Sequence, residues 1–303
     1  ILPYEPVRDP DTPLRIGIIG FGIMGYRNTR TLLQLPGIIL AGVCDLYKGR
    51  LERARELYGK DLFVTMDYKA LLDRKDIDAV FVCTSDQWHQ RISIDAMRKG
   101  KAVYCEKPLV QRLEEGRELI RVQQETKAIL QVGSQRVSSI VYAAAKKFYE
   151  EGEIGQLNCI EASFDRHTSL GAWQYTMPPD ASPETVNWKG FFKTSTVPAF
   201  DAKRLFWWRN YREYGTGVAG DLFVHLVSGI HFLTGALGPS RIFATGDTSY
   251  WKDGRNVPDL MTAVMEYNAT ALHPAFQVLL KVNLASGAEK VEGGKVKFFG
   301  TEG

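Results

Sequence analysis

The residues best suited to acid–base chemistry include Glu106 and Lys107, which stand side by side directly before Pro108 in the sequence VYCEKPL. The apolar residues before them predict a buried strand that ends at this pair. One interpretation is a surface ion pair, which is common and contributes little to stability. The alternative is that Pro108 restrains Lys107 to an extended backbone that directs its ammonium group into a ligand crevice. There it can donate a proton or a hydrogen bond to an alkoxide.

A second group comprises Asp221 and His225, which are four residues apart in the sequence GVAGDLFVHLVSGIH. The spacing predicts that both lie on one face of a helix, one turn apart. Asp221 either caps the start of that helix, with His225 packed beneath it, or holds a substrate whose hydroxyl proton His225 accepts. We do not expect a metal site here, because the sequence offers no matching cluster of ligands.

Three glycines, Gly20, Gly22 and Gly25, have the order G-x-G-x-x-G between an apolar run and an amphipathic stretch. In this order the first glycine allows a tight turn, and the second lets the backbone approach a pyrophosphate. The third lets the following helix pack closely on the strand. The sequence therefore predicts a dinucleotide-binding turn in the first β-α unit.

Asp45 ends the next apolar run, 20 residues after Gly25. A carboxylate at this position can accept hydrogen bonds from the adenosine ribose hydroxyls and repels a 2′-phosphate, which favours NAD over NADP. Lys48 and Arg50 follow just beyond and leave NADP open as the less favoured alternative.

The run VFVCTSDQWHQ predicts another strand whose end carries Thr84 and Ser85, at the edge where such sheets bind ligands. His89 either lines the cofactor pocket or caps and packs locally. The residues expected from these patterns to bind the cofactor are Gly20, Gly22, Ile23, Met24, Gly25, Asp45, Thr84, Ser85, His89, Glu106 and Lys107.

The elements that must position these residues can be read from the alternation of short apolar runs with amphipathic stretches from Leu14 to about Gly133. This alternation predicts an α/β fold that begins with a doubly wound parallel sheet, the Rossmann arrangement. Longer strand-like runs follow and predict an α/β domain with an open, mostly antiparallel sheet. We expect an extended, proline-rich arm at 1–13, an NAD(P)-binding domain at 14–135 and a substrate-binding and oligomerisation domain at 136–303. The stop at Gly303, just after a strand and a turn signal, is compatible with C-terminal truncation.

The composition points to a small-molecule partner. The net charge of +3 comes from 38 basic and 35 acidic residues without a block of one sign, so neither nucleic acid nor a membrane surface is the expected partner. The four cysteines lack C-x-x-C spacing, and we expect neither a zinc site nor a disulfide framework. The chain starts at Ile1 rather than at a methionine, so localisation stays open between the cytoplasm, the default, and export after removal of a signal segment.

Residues 166–214 are rich in aromatic and basic side chains. Aromatic faces pack against the C–H faces of sugars, and arginine and histidine bind hydroxyls, so a carbohydrate or polyol is the favoured substrate. The alternative is that half or more of the aromatic residues belong to the core or to a subunit interface. The aromatic residues are Trp173, Tyr175, Trp188, Trp207, Trp208, Tyr211 and Tyr214. The candidate substrate-binding residues are Arg166, His167, Trp207 and Arg209.

Together, the residues Gly20 to Gly25, Asp45, Glu106-Lys107-Pro108 and Asp221 to His225 resemble the Gfo/Idh/MocA family of oxidoreductases, which contains glucose-fructose oxidoreductase and inositol 2-dehydrogenase. The resemblance covers nearly the whole chain. It implies NAD(P) as the cofactor, homodimers or homotetramers formed through the open sheet, and Lys107, Asp221 and His225 as the catalytic group. It further implies that Gln135 binds the cofactor and that Arg136 lines the substrate cleft.

The favoured function is thus an NAD-dependent oxidoreductase that transfers a hydride between a sugar or polyol carbon and the nicotinamide. The alternative is an NAD-dependent glycoside hydrolase, also represented in that family, which oxidises its substrate transiently and uses a further acid or base such as His167. A third interpretation, a non-catalytic dinucleotide-binding protein, fits less well with lysine, aspartate and histidine occurring together.

Overall fold

The computed structural model describes residues 12–287 and 293–303, so the predicted arm at 1–13 lies almost entirely outside the described residues. The chain forms two compact units. The first contains the described residues of Ile1–Gly133 together with Met177–Leu205, and the second contains those of Ser134–Thr176 and Phe206–Gly303.

The first unit is a parallel sheet with helices between its strands. The strands are β1 (Leu14–Ile19), β2 (Ile38–Cys44), β3 (Phe63–Thr65), β4 (Ala79–Val82), β5 (Ala102–Cys105) and β6 (Leu130–Val132). The helices are α1 (Ile23–Leu32), α2 (Lys48–Tyr58), α3 (Tyr68–Leu72), α4 (Asp86–Arg98) and α5 (Leu113–Thr126). All neighbouring strands are parallel, in the order β3-β2-β1-β4-β5-β6. This order confirms the doubly wound Rossmann sheet.

The strands of this sheet are continuous apolar runs because helices cover both of its faces. Ile16 and Ile18 of β1 and Val80 and Val82 of β4 have no exposed surface. Since the carboxyl ends of parallel strands share one edge, the turns after β1, β2, β4 and β5 all lie there. The candidate cofactor-binding residues in these turns therefore lie at one edge of the sheet.

The second unit has its own mixed sheet. Its elements are α6 (Ile140–Glu150), β7 (Cys159–Asp165), α8 (Val224–Thr234), β8 (Arg241–Asp247), β9 (Leu260–Tyr267), β10 (Phe276–Asn283) and β11 (Gly293–Phe299). The short helix α7 (Ala202–Phe206) lies where the chain passes from the first unit to the second. The strand order is β11-β7-β10-β9-β8, in which only the pair β7–β10 is parallel among the described strands. The prediction of an open, mostly antiparallel sheet is confirmed.

One face of this second sheet packs on the core and the other is open. Along β10, Phe276, Val278, Leu280 and Val282 are buried while the residues between them are exposed or half-buried. This is the alternation expected of a sheet that is covered on one face only. Every residue of β8 is exposed, so this edge strand has no cover within the unit.

The segment Met177–Leu205 groups with the first unit, whereas the sequence divided the chain into two continuous domains at 135 and 136. The physical reason is a set of contacts between residues far apart in sequence. For example, the side chains of Gln87 and Trp88 each donate a hydrogen bond to the carbonyl of Phe191 at 3.0 Å. The second unit therefore begins at Ser134, continues to Thr176 and resumes at Phe206.

Candidate functional site

The glycine turn after β1 has no room for side chains at two of its three positions. Gly20 adopts a φ of +89°, and a Cβ there would lie 2.5 Å from the carbonyl oxygen of Cys83. A Cβ on Gly25 would lie 1.9 Å from the carbonyl oxygen of Gly20. At Gly22 the atoms nearest to a Cβ would be those of the Arg50 guanidinium, at 3.7 Å. The first and third glycines are thus required by the turn itself, and the second leaves open space toward a positive charge.

Asp45 is buried directly after β2, and its carboxylate connects two turns of the sheet edge. One oxygen accepts a hydrogen bond from the backbone N–H of Phe21 at 2.7 Å, and the other accepts from the N–H of Tyr47 at 2.9 Å. The Arg50 guanidinium lies 3.4 Å from the same carboxylate. The sequence predicts that Asp45 binds ribose hydroxyls; what the structure shows is that its carboxylate fixes the glycine turn beside it.

These residues fit a dinucleotide. α1 begins after Gly22 without a side-chain cap, so the N–H groups of its first turn, at Ile23, Met24 and Gly25, are oriented as in helix ends that bind phosphate. When bound, NAD supplies a nicotinamide carbon that accepts a hydride. The residues Gly20, Gly22 and Asp45 would hold its pyrophosphate and adenosine ribose.

The Glu106–Lys107–Pro108 motif follows β5 at the same edge, and its Lys107–Pro108 peptide bond is cis. Glu106 is only 5% exposed, and its carboxylate accepts a hydrogen bond from the side-chain amide of Asn28 at 2.9 Å. Asn28 lies on α1, directly after the glycine turn. Burial and the nearby Glu106 carboxylate raise the pKa of the Cys83 thiol well above its usual value, so Cys83 stays neutral. Lys107 is half-buried.

Thr84, Ser85 and His89 follow β4. Ser85 is buried and Thr84 is half-buried, with its hydroxyl donating to the carbonyl of Ser85 at 3.2 Å. His89 is 1% exposed, and its two ring nitrogens face the carbonyl oxygens of Pro108 at 2.6 Å and Thr84 at 3.2 Å. Its two ring nitrogens are thus occupied by backbone carbonyls of the loops after β4 and β5, which matches the interpretation that His89 packs locally.

The protonation of His89 follows from these contacts. Burial alone lowers the pKa of a histidine, but the Cys105 sulfur, the Asp86 carboxylate and the Pro108 carbonyl raise the pKa of His89 to about 9. Because a carbonyl can only accept, both ring nitrogens must donate for both contacts to be hydrogen bonds. His89 is accordingly a buried imidazolium that links two loops of the sheet edge.

In the second unit, Asp221 lies in a π-helical turn, Ala219–Phe223, directly before α8. Helical backbone begins before Asp221, at residues 217 and 218, and Val218 supplies no side-chain cap to the π-helical turn. Of the two alternatives for Asp221, the helix cap is not formed, and the carboxylate instead accepts a hydrogen bond from Arg209 at 3.2 Å. Since π-helical turns occur frequently at functional sites, the position is compatible with a role in chemistry.

His225 occupies the first turn of α8, and its ring centroid lies 6.3 Å from that of Phe164 on β7. Arg166 also lies over the Phe164 ring, at 4.9 Å from its centroid. A Cβ added to Gly294 would lie 2.8 Å from a guanidinium nitrogen of Arg136 and 3.0 Å from the ring of Phe164, so these two side chains are close to each other. The side chains of Phe164, Arg136, Arg166 and His225 are thus grouped within this unit.

Arg209 and Asp221 form a second group of polar side chains in this unit. The Arg209 guanidinium lies over the rings of Trp208 at 4.2 Å and Tyr175 at 5.9 Å, measured to the ring centroids. Trp207 donates its indole N–H to the carbonyl of Tyr175 at 2.6 Å. Gln135 and His167 are exposed.

Several aromatic residues expected to face a sugar are core residues instead. Trp173 has no exposed surface, and Trp188, Tyr211 and Tyr214 are buried. The interpretation that half or more of them are core is confirmed. Buried rings cannot stack on a ligand, so Tyr175, Trp207 and Trp208 are the aromatic residues that remain available.

Two contacts that hold the loops of the candidate site, those of Asn28 and of Tyr47 with Asp180, were not predicted from the sequence. Asn28 could have been found, because it lies one turn after Gly25 on the helix that the glycine motif starts. The hydrogen bond between Tyr47 and Asp180, at 2.6 Å, joins residues 133 positions apart and has no local signal. Within residues 12–287 and 293–303, no group of three or more histidine, cysteine or acidic side chains is arranged to hold a metal ion.

A Rossmann sheet whose glycine turn, carboxylate and first helix are arranged in this way defines a dinucleotide-binding protein. Residues 14–134 match the model of the oxidoreductase family with an NAD-binding Rossmann fold, and residues 193–303 match the C-terminal domain of that family. The chain therefore belongs to the Gfo/Idh/MocA family of oxidoreductases, in agreement with the sequence motifs. NAD is accordingly the cofactor of its fold family.

The relatives of known sequence include inositol dehydrogenases. Inositol 2-dehydrogenase of Salmonella typhimurium is 31% identical over 175 residues, which cover 57% of this chain and 51% of the relative. The scyllo-inositol 2-dehydrogenase (NAD(+)) of Bacillus subtilis is 35% identical over 144 residues, covering 47% of this chain and 42% of the relative. The chain thus spans about half the length of the curated relatives it matches.

Among solved structures, the WlbA dehydrogenase of Bordetella pertussis, in complex with NADH and UDP-GlcNAcA, has a TM-score of 0.75 and 17% identity. The match covers 97% of this chain and 73% of that protein. At this identity the likeness supports the fold. Across the part of the chain that the structure describes, no helix is both long and apolar enough to cross a membrane.

Proposed function

We propose that the protein is an NAD-dependent dehydrogenase that transfers a hydride between a hydroxyl-bearing carbon of a sugar or polyol and the nicotinamide. The observation that carries this proposal is the position of Glu106 and Lys107. They follow β5 at the edge that also holds the glycine turn after β1, with only β4 between these two strands. A lysine at this edge is suited to interact with a substrate oxygen beside a bound nicotinamide.

The roles we propose for the acid–base residues follow from their chemistry. His225 accepts the proton of the substrate hydroxyl, and Lys107 stabilises the alkoxide by donating a hydrogen bond. Asp221 is held by Arg209 and positions the substrate or the imidazole. Lys107 belongs to the first unit, and Asp221 and His225 belong to the second.

The substrate class is supported by the polar groups around Phe164 and Arg209 and by the relatives. Arginine donors bind neighbouring hydroxyls, and the partly exposed rings of Tyr175 and Trp207 offer apolar faces for C–H groups. Two relatives are named for the oxidation of inositols. An inositol or a related polyol is therefore the first substrate to test, with Arg136, Arg166, His167, Trp207 and Arg209 as the candidate contacts.

We also propose that the chain forms homodimers or homotetramers. The open face of the second sheet carries a groove of about 740 Å³ lined by residues of all five strands. Phe243 and Leu279 expose apolar surface there, beside the charged side chains of Glu161, Lys281 and Lys295. A second copy of this sheet is the partner that this proposal assigns to the face.

The experiment is to incubate the purified protein with NAD and a panel of inositols, sugars and nitrophenyl glycosides. The proposal expects NADH to accumulate with turnover of a polyol or sugar. Release of nitrophenol without net NADH would contradict it and favour the hydrolase. No reaction with any member of the panel, although NAD binds, would favour a non-catalytic binding protein.

Replacing Lys107 by methionine should lower turnover about a hundredfold or more while NAD still binds. Lys99→Met is the matched control, since Lys99 is an exposed lysine of the same unit that pairs with Asp73. Equal turnover of Lys107→Met and the control would contradict the role of Lys107.

A further inference from the structure

The part of the insertion that returns to the first unit packs against the loop after β2. We call residues 180–192 the clasp segment. The backbone N–H of Lys48 donates to the carbonyl of Thr185 at 2.9 Å, and the N–H of Asn187 donates to the carbonyl of Leu46 at 2.8 Å. The clasp segment and the β2–α2 loop are thus joined by an isolated antiparallel bridge between Tyr47 and Val186.

A side-chain hydrogen bond reinforces this pairing. The hydroxyl of Tyr47 donates to the Asp180 carboxylate at 2.6 Å. Burial, followed by this hydrogen bond, raises the pKa of Tyr47 to about 12, so the hydroxyl keeps its proton at neutral pH. Gly49 leaves space for the phenol, since a Cβ there would lie 2.5 Å from its oxygen. A glycine in the first turn of α2 is therefore explained by the position of Tyr47.

The same loop is bonded to the dinucleotide turn. The backbone N–H of Tyr47 donates to the Asp45 carboxylate, which also accepts the N–H of Phe21 between the first two glycines. A continuous series of contacts thus runs from Asp180 through Tyr47 and Asp45 to the turn that would hold the pyrophosphate.

The other end of the clasp segment is attached to the first turn of α4, the helix that follows β4. The carbonyl of Phe191 accepts hydrogen bonds from Gln87 and Trp88 of α4, and the ring of Trp188 stacks on that of Phe191 with centroids 5.6 Å apart. In the sheet order, β1 lies between β2 and β4. The two attachments therefore flank the glycine turn.

We propose that the clasp segment completes the binding site for the adenosine half of NAD, with Tyr47 and Asp180 as positioning residues that hold Asp45 and the β2–α2 loop in their binding geometry. The inference rests on the use of NAD by this protein and is independent of the substrate oxidised. A preformed loop binds more tightly than one that must be ordered on binding, because the ordering cost has already been met.

The test measures the affinity of the full chain for NAD and for ADP-ribose, which contains the adenosine half alone. Tyr47→Phe removes the hydroxyl, and Gly49→Ala displaces it while placing a better helix former in α2. Each should weaken the binding of both ligands about tenfold, the change expected when a hydrogen bond to a charged group is lost. The double variant Tyr47→Phe/Asp180→Ala should bind NAD and ADP-ribose no more weakly than either single variant, since both substitutions remove the same hydrogen bond.

Tyr68→Phe is the matched control, because the Tyr68 hydroxyl likewise donates to a carboxylate of the same unit, that of Asp95 at 2.8 Å, while the substitution keeps the ring. It should leave both affinities within about twofold of the wild type. In Tyr47→Phe, a raised KM for NAD with an unchanged kcat at saturating NAD would support a positioning role for Tyr47.

Unchanged affinity in Tyr47→Phe, or an equal loss in Tyr68→Phe, would overturn this inference alone. A wild-type protein that binds no NAD would overturn it together with the proposed function. A protein that binds NAD through the clasp segment but oxidises no polyol would overturn the proposed function only.

Discussion

The side-chain amide of Asn28 donates a hydrogen bond to the buried carboxylate of Glu106 at 2.9 Å. This contact joins α1, which starts at the glycine turn, to the loop that carries Lys107. The helix that would bind the pyrophosphate and the lysine proposed to act on substrate are therefore held in one framework.

Removing this contact should weaken that framework. In Asn28→Ala the Glu106 carboxylate loses a donor in a buried position, which should lower the free energy of unfolding by about 1–3 kcal/mol. Denaturant unfolding of the full chain would measure it. Glu106→Gln is the companion variant: its amide oxygen can still accept from Asn28, so a larger loss than in Asn28→Ala would contradict this account of the pair.

Gly25→Ala should abolish NAD binding or prevent folding, because its Cβ would lie 1.9 Å from the carbonyl oxygen of Gly20. Gly116→Ala is a matched control in α5, where a Cβ meets nothing within 4 Å. The control should raise the free energy of unfolding by about 0.5–1 kcal/mol, since alanine is the better helix former. Thermal unfolding and NAD titration of both variants check this, and normal NAD binding by Gly25→Ala would contradict it.

The choice between NAD and NADP should depend on the charge of Asp45. Asp45→Ser removes the carboxylate that repels a 2′-phosphate and leaves Arg50 to bind one, so the ratio of NADP to NAD affinity should rise about tenfold. Adding Arg50→Ala should reverse the gain. A ratio that stays at the wild-type value in Asp45→Ser would show that another residue selects the cofactor.

His89 should make stability depend on pH. Its pKa is raised from the ordinary value of 6.5 to about 9, so the stabilisation is fully present below the unfolded pKa and is lost as the pH rises through about 9. Denaturant unfolding should therefore show stability falling as the pH is raised from 7 to 10. The slope should be reduced in His89→Gln, which cannot titrate. Nitrogen NMR showing a neutral His89 ring at pH 7 would contradict the assignment.

Much of the first unit could be predicted because its signals are local. Gly20 and Gly25 are needed by the turn whatever lies elsewhere, and continuous apolar runs such as β4 occur where both faces of a sheet are covered. The second unit was less predictable. Asp221 follows a glycine as a helix cap would, and only the distant Arg209 shows that its carboxylate is used otherwise.

Long-range packing explains the remaining differences. The sequence shows that residues 166–214 are aromatic, but burial decides whether a ring such as Trp173 can face a ligand. The return of Met177–Leu205 to the first unit depends on pairs such as Tyr47 and Asp180, which no local pattern marks. For the residues proposed to be catalytic, the motif predicts the chemistry and measurement must test it.

The most direct test of the central claim follows the hydride itself. The protein is incubated with NAD and with myo-inositol, or with the most active polyol of the panel, that carries deuterium on its ring carbons. The account predicts NADH that contains one deuterium, together with slower turnover than for the unlabelled polyol. Polyol turnover that yields NADH without deuterium, or product formed without reduction of NAD, would contradict hydride transfer from the carbinol carbon.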